Sequence, residues 1–178
     1  SINDEKSFLS YLKRGIGGMG MSLERVIHYF EQFDIADRIC VLSDSSATVA
    51  LAAAVIGCAP TEIAKTMSFL VEGTPLLIVT AGDAKIDNRK YKACFQVKAK
   101  MIPSDQVEKL IGHDVGGVCP FGINDGIDVY LVVSLRRFTE VYPAAGSANS
   151  MIKMTLPELE RYAQAKEWVD VCKDWKEA

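Results

Sequence analysis

The chain has 178 residues, 49% of them apolar and 24% charged, with a formal net charge of −3. That length suits one domain with a substantial core, and the composition excludes a disordered chain. The mild acidity argues against a protein that coats nucleic acid by bulk charge, and leaves room for a local basic patch.

Residues 1–21 read as an N-terminal extension with a Gly-rich link, GIGGMG, because glycines spaced so closely give a flexible segment. Its polar start lacks the pattern of a signal peptide, and no apolar run in the chain reaches the length of a membrane span. The domain proper is expected over 22–178. Leu23, Val26, Ile27, Phe30 and Phe33 recur at helical spacing, which predicts an amphipathic helix over 23–34. A short strand follows at 38–42. Ser45 or Ser46 can cap the next helix, which Gly57 closes. Pro60-Thr61-Glu62 turns the chain into a strand at 63–70, and Glu72-Gly73-Thr74-Pro75 reads as the hairpin turn into a strand at 76–80. Asp87 or Asn88 can cap a helix over 88–98, and Ser104 another over 105–111. Residues 112–126 read as loop. Strands are expected at 128–135, 138–142 and 151–155, a helix from Pro157 to about 166, and a last strand in EWVDVC. Helices and strands mix without regular βαβ alternation, so the class is α+β, or mixed α/β, around one curved sheet.

Four features could carry chemistry. In the strand IAKTMSFL, alternation puts Lys65 on the same face as Ile63, Met67 and Phe69. Such a lysine can lie along apolar surface with its head in water. It can also stand at the floor of a cleft that awaits a phosphate or carboxylate, since an unpaired buried ammonium is costly. In GHDVGGVCPFG, Gly116-Gly117 allows close backbone approach or positive φ, and Pro120 fixes the direction of the turn. The same residues fit a tightly packed structural turn. His113 and Cys119 in this loop also raise a thiol nucleophile with a histidine base. Third, from Lys85 to Lys100 the cations Lys85, Arg89, Lys90, Lys92, Lys98 and Lys100 are opposed only by Asp87, a face suited to phosphates or simply solvated. Fourth, PAAGSANS, with Ser147 in it, can line a pocket with backbone donors or be an ordinary turn. The five cysteines are scattered without C-x-x-C spacing, which points away from a disulfide framework or zinc site and toward a reducing cytoplasm.

Taken in order, IAKTMSF, AGDAKID, GGVCPFG, VYLVVSL and VYPAAGSANS resemble the YbaK/EbsC aminoacyl-tRNA deacylase family, free-standing relatives of the editing domain of prolyl-tRNA synthetases. The resemblance runs from Ser22 to Asp170. It implies a curved, mixed, partly barrel-like sheet surrounded by helices, and hydrolysis, without metal or other cofactor, of the ester that joins a wrong amino acid to tRNA, often tRNA-Pro. The family's signature lysine and threonine fall on Lys65 and Thr66, and its glycine-rich loop on Gly116, Gly117 and Pro120. By this reading Lys65, Gly116 and Gly117 are catalytic, and Thr66, Pro120, Cys119, His113 and Ser147 line the substrate. Arg89, Lys90 and Lys92 hold the tRNA acceptor arm, with a prolyl-tRNA synthetase as a further candidate partner. Relatives often carry an aspartate where this chain has Val132, so a non-catalytic module that binds a tRNA end or a nucleotide is the alternative.

Overall fold

In the computed structural model the described residues are 20–42 and 49–176. They form a mixed α+β domain whose main sheet curls into a half barrel. Ser45 and Ser46, the proposed helix caps, lie outside the described residues, as do residues 1–19.

The elements in chain order are α1 (Met21–Glu31), β1 (Ile39–Val41), α2 (Val49–Ile56), β2 (Ile63–Val71), β3 (Thr74–Ala81), β4 (Lys85–Ile86), α3 (Asn88–Phe95) and α4 (Ser104–Ile111), followed by β5 (Asp128–Val132), β6 (Glu140–Pro143), β7 (Ser150–Ile152), β8 (Met154–Thr155), α5 (Leu156–Tyr162), β9 (Glu167–Val169) and β10 (Cys172–Lys173). The main sheet runs β8-β6-β2-β3-β5-β9. Its centre is the β2–β3 hairpin, closed by Glu72 and Gly73 at φ 51° and 79°. Two consecutive positive φ values match the right-handed twist of the flanking strands, which explains the tight two-residue turn. The pairs β2–β6, β3–β5 and β5–β9 are parallel. Two small antiparallel pairs, β1–β7 and β4–β10, flank the sheet.

The strand period sorts the two faces. Ala64, Leu77, Val79, Ala81, Val129 and Leu131 join one core with Leu23, Val26 and Phe30 of α1, Ile111 of α4 and Phe121. Phe69, Leu76, Ile78, Tyr130 and Val132 face the other way, into a second core completed by Tyr91 and Phe95 of α3. The rings of Phe69 and Tyr91 lie 5.2 Å apart, and those of Tyr91 and Phe95 4.8 Å. Apolar burial of this kind contributes roughly 1.5–3 kcal/mol per large side chain.

Several expected boundaries move. The helix over 88–98 stops at Phe95 because Gln96 adopts φ 68° and returns its N–H to the Lys92 carbonyl. Asp87 caps its start, accepting from the Lys90 N–H at 3.1 Å. Ser104 is the first helical residue of α4, not its cap, which is Pro103. The strand over 128–135 ends at Val132, and residues 133–137 turn in a 3-10 helix whose Ser134 and Arg137 side chains bond elsewhere in the chain. The 151–155 strand divides into β7 and β8, and the last strand into β9 and β10. Thr155 and Glu158 form a capping box at the start of α5, and the helix closes at Tyr162, short of residue 166.

Candidate active site

Lys65 sits near the start of the long strand β2, opposite Thr80 of β3. Parallel pairing of Ala64 with Pro143 sets it at the level where the 144–149 loop leaves the sheet. The side chain is half-buried, and among the described residues it makes no ion pair. Burial pushes its pKa below the ordinary lysine value, opposed in smaller measure by Cys172 and Asp83 nearby, while Lys85 pushes it further down. It is a desolvated cation in want of an anion. Beside it the polar floor is tied together: Thr80 Oγ1 lies 3.0 Å from Ser134 Oγ and donates to Cys172 Sγ at 3.6 Å.

Thr66 points to the opposite face, paired with Val79, and its buried hydroxyl has no partner among the described residues. Thus the adjacent Lys65 and Thr66 serve two sides of the sheet. Thr66 looks toward the core shared by α1 and the 112–122 loop.

That loop is locked against the 144–149 loop. A Cβ on Gly117 would stand 2.2 Å from the Gly146 carbonyl oxygen and 3.2 Å from the Ser147 nitrogen, and a Cβ on Gly146 would stand 2.6 Å from the Ser22 oxygen. Both glycines are there for close approach of backbone to backbone. Neither Gly116 nor Gly117 has the positive φ that their type permits, and the close approach at Gly117 is to the protein itself. Its N–H is donated to the Asp114 carbonyl at 2.8 Å, which removes it as a donor to a substrate. Gly116 is exposed, with nothing within 4 Å of where a Cβ would stand. That exposure leaves the Gly116 backbone open to a ligand. Ser22 at the start of α1 accepts the Asp114 N–H at 2.7 Å through its hydroxyl, an anchor without any signature in the sequence. Ser147 is engaged within its own turn, its hydroxyl donating to Asn149 Oδ1 at 2.8 Å. Asn149 Nδ2 in turn donates to the Leu42 carbonyl.

His113 and Cys119 do meet, Sγ to Nε2 at 3.6 Å, but both are wholly buried. His113 Nε2 lies 2.6 Å from the Phe121 carbonyl, which can only accept, so Nε2 carries the proton and cannot take one from the thiol. Burial holds the imidazole pKa below its ordinary value and pushes the Cys119 thiol up to about 12. A thiolate nucleophile needs the reverse. The pair is the inner brace of the loop, and with both side chains wholly buried neither lines a substrate surface as expected from the sequence. Pro120 is buried, and lines a cavity of about 230 Å³ with Tyr29 and Gly122.

Of the basic segment, Arg89 and Lys92 are exposed on α3. Lys90 is occupied: its ammonium donates to the Asp170 carboxylate and to the Cys172 carbonyl, both at 3.1 Å. Val132 is fully buried in the second core. Asp128, on the same face of β5, is exposed and paired with Lys166 at 3.1 Å, so it does not replace an acid at 132. Among the described residues no group of three or more His, Cys, Asp or Glu side chains is arranged to hold a metal ion.

The curled six-strand half-barrel sheet with its surrounding helices is the fold of solved trans-editing proteins. Residues 44–162 match the aminoacyl-tRNA editing domain family, and the chain belongs to that family. It is 48% identical over 157 residues to the Bacillus subtilis (strain 168) protein YwhH, covering 88% of this chain and all of that one. It is 25% identical over 120 residues to the proline–tRNA ligase of Bacillus licheniformis, a match to 67% of this chain and 20% of the ligase. A crystal structure described as that of a candidate trans-editing enzyme for prolyl tRNA synthetase superposes with a TM-score of 0.79 at 25% identity, over 88% of this chain and 99% of the other. The structure of hypothetical protein APE2540 gives 0.74 at 25% identity, over 84% and 99%.

Proposed function

We propose that residues 22–178 act as a free-standing deacylase that hydrolyses the ester between a wrong amino acid and the 3′ end of tRNA, with tRNA-Pro as the leading substrate and the cytoplasm as its place of action. The observation that carries this reading is Lys65, a half-buried ammonium without an ion pair among the described residues, in a chain of the editing family. Lys65 binds the phosphate or ribose end of the terminal adenosine as a point charge whose donors rotate to fit. The Gly116 N–H supports charge developing on the ester carbonyl oxygen, and Gly117 acts by holding that turn against Gly146. Thr66, Ser147 and Pro120 shape the wall on the glycine-loop side, so the substrate reaches round the start of β2 from Lys65 on the other face. Water attacks the carbonyl carbon and passes a proton to the substrate's neighbouring ribose hydroxyl, which hands its own proton to the departing ribose oxygen. The acyl C–O bond breaks, and the ribose oxygen leaves with a proton. Arg89 and Lys92 on α3 add affinity for the acceptor arm, since phosphate contacts position an RNA without reading it. A prolyl-tRNA synthetase is the proposed source of the mischarged tRNA.

A second reading, a non-catalytic binder of tRNA ends, draws on the buried Val132 and on the pairing of Asp128 with Lys166, which leave no acid on that part of β5 to grip an amino group. One experiment separates the two: release of labelled amino acid from a panel of mischarged tRNA-Pro, tRNA-Ala and tRNA-Cys. Release from any of them supports the deacylase. Saturable tRNA binding with no release across the panel supports the second reading and overturns the first.

A further inference from the structure

Near Lys65 stands a clamp of Arg137 on Asp83. Asp83 lies just past the end of β3, where Thr80 is the cross-strand partner of Lys65. Its charge raises the Lys65 pKa, in smaller measure than burial lowers it. Left to itself Asp83 would be the natural counter-ion for that ammonium, and a paired Lys65 would have little charge to offer an anionic ligand.

Arg137 prevents this. Its Nη2 donates to Asp83 Oδ1 at 2.6 Å and its Nη1 to Oδ2 at 3.0 Å. Both carboxylate oxygens are thus taken in the two-pronged geometry that makes such pairs strong. The guanidinium cannot swing away. Its Nε donates to the Ser134 carbonyl at 2.8 Å, and Nη1 also reaches the Lys176 carbonyl at 2.9 Å. Its carbon stands 4.9 Å from the centre of the Phe138 ring and 5.2 Å from that of Trp175, and the side chain is only 9% exposed. Ser134 meanwhile accepts the Ala81 N–H and touches Thr80, so the clamp and the strand beside Lys65 are one connected network. The other charged or titratable groups near Lys65 are Lys85, which is exposed, and Cys172, whose thiol burial holds in the neutral form.

We propose that Arg137 is a positioning residue for Lys65: by holding Asp83 at both oxygens it denies Lys65 an internal counter-ion and leaves the ammonium available to an anionic substrate. The proposal rests on the deacylase reading for its effect on turnover; its effect on Lys65 rests on the Arg137–Asp83 geometry and on the place of Asp83 just past Thr80, the strand partner of Lys65.

The test is a double-mutant cycle with two readouts. One is the pKa of the Lys65 ammonium, followed by NMR of selectively labelled lysine and assigned with Lys65→Met. The other is kcat/KM on the best mischarged tRNA of the panel. Arg137→Gln should raise the Lys65 pKa and lower kcat/KM by about tenfold or more, on the scale of a lost electrostatic contact. Asp83→Asn alone should lower the Lys65 pKa slightly, because the carboxylate that raises it is gone, and leave kcat/KM near wild type. The double variant Arg137→Gln/Asp83→Asn should recover both, because the competing carboxylate is gone. A purely structural Arg137 predicts no recovery, so a folded double variant no better than Arg137→Gln overturns the proposal. If Arg137→Gln does not fold, Arg137→Lys keeps the charge, loses the two-pronged hold, and should move both readouts the same way. An unmoved Lys65 pKa in that variant overturns the proposal as well. A Lys65 pKa that responds as described in a protein without deacylase activity supports the clamp and sinks the deacylase reading, whereas full deacylation with an unresponsive Lys65 does the opposite.

Discussion

Replacing Lys65 with methionine separates the charge of this side chain from its packing. Methionine keeps the length and the apolar contacts on the β2 face beside Thr80, so only the ammonium is lost. A preorganised group that meets charge in the transition state contributes about 3 kcal/mol, or roughly 150-fold in rate at 1.36 kcal/mol per decade. Stability should move the other way. Burial holds the Lys65 pKa below 10.5, so the unfolded chain binds this proton more tightly than the folded one. The cost to folding is fully present below the lowered pKa and is relieved as pH rises from there to 10.5. At neutral pH the methionine variant should therefore be more stable than wild type by about 1 kcal/mol, a figure discounted because the half-buried side chain still meets water. The wild-type rate should also fall on the alkaline side, below the ordinary lysine range, as Lys65 gives up its proton, and the variant should lack that limb. Single-turnover deacylation of a mischarged tRNA measures the first effect and thermal melts across pH measure the second. A folded variant within threefold of wild-type turnover, or one that loses stability together with activity, would refute the reasoning.

Cys119→Ser should keep turnover within about twofold and cost about 1–2 kcal/mol of stability, since the buried site loses packing and not a nucleophile. Gly117→Val should cost more than about 3 kcal/mol or collapse the loop, because its Cβ would stand 2.2 Å from the Gly146 oxygen with backbone on both sides; a melt and an activity assay check the pair. Neutralising Arg89 and Lys92 should flatten the salt dependence of tRNA binding by about one log-log unit per lost contact, with the rate at saturation unchanged. An unchanged slope would mean that the tRNA docks elsewhere. Glu158→Gln should destabilise at neutral pH by about 1 kcal/mol after allowing for solvent around the pair, because Arg38 at 2.7 Å and the Thr155 cap hold the Glu158 carboxyl down to about 2. That contribution is complete above the ordinary value of 4.5 and is lost as pH falls from there toward about 2, which acid melts of the two proteins will show.

Local pattern was enough for much of this protein. Alternation in IAKTMSFL placed Lys65 on the Phe69 face, and the spacing of Leu23, Val26, Ile27 and Phe30 oriented α1, because period and polarity are local properties that survive in any tertiary setting. The ordered motifs carried the family for the same reason. Boundaries were less legible: the 128–135 strand is as β-prone at Val133 as at Val132, and it ends where it does because Ser134 is needed by Ala81 and Thr80.

The roles of individual site residues depended on partners far away in the chain. Gly117 reads as a residue for ligand approach until Gly146 is found against it, 29 positions away. His113 and Cys119 read as pocket lining, with a catalytic pair as the alternative, until burial and the Phe121 carbonyl fix their protons. Lys90 and Lys92 are equivalent as charges in a row, yet the helix turns one onto the Cys172 carbonyl and leaves the other in water. Nothing in AGD or in SLRRF says that Asp83 belongs to Arg137 and not to Arg136 or Lys65. Composition and periodicity set which faces are apolar and which segments are charged, and so determined the fold class. Which charges meet was decided by the closing of the sheet, because pairing across 54 residues is a property of the folded chain and leaves no periodic trace in the sequence.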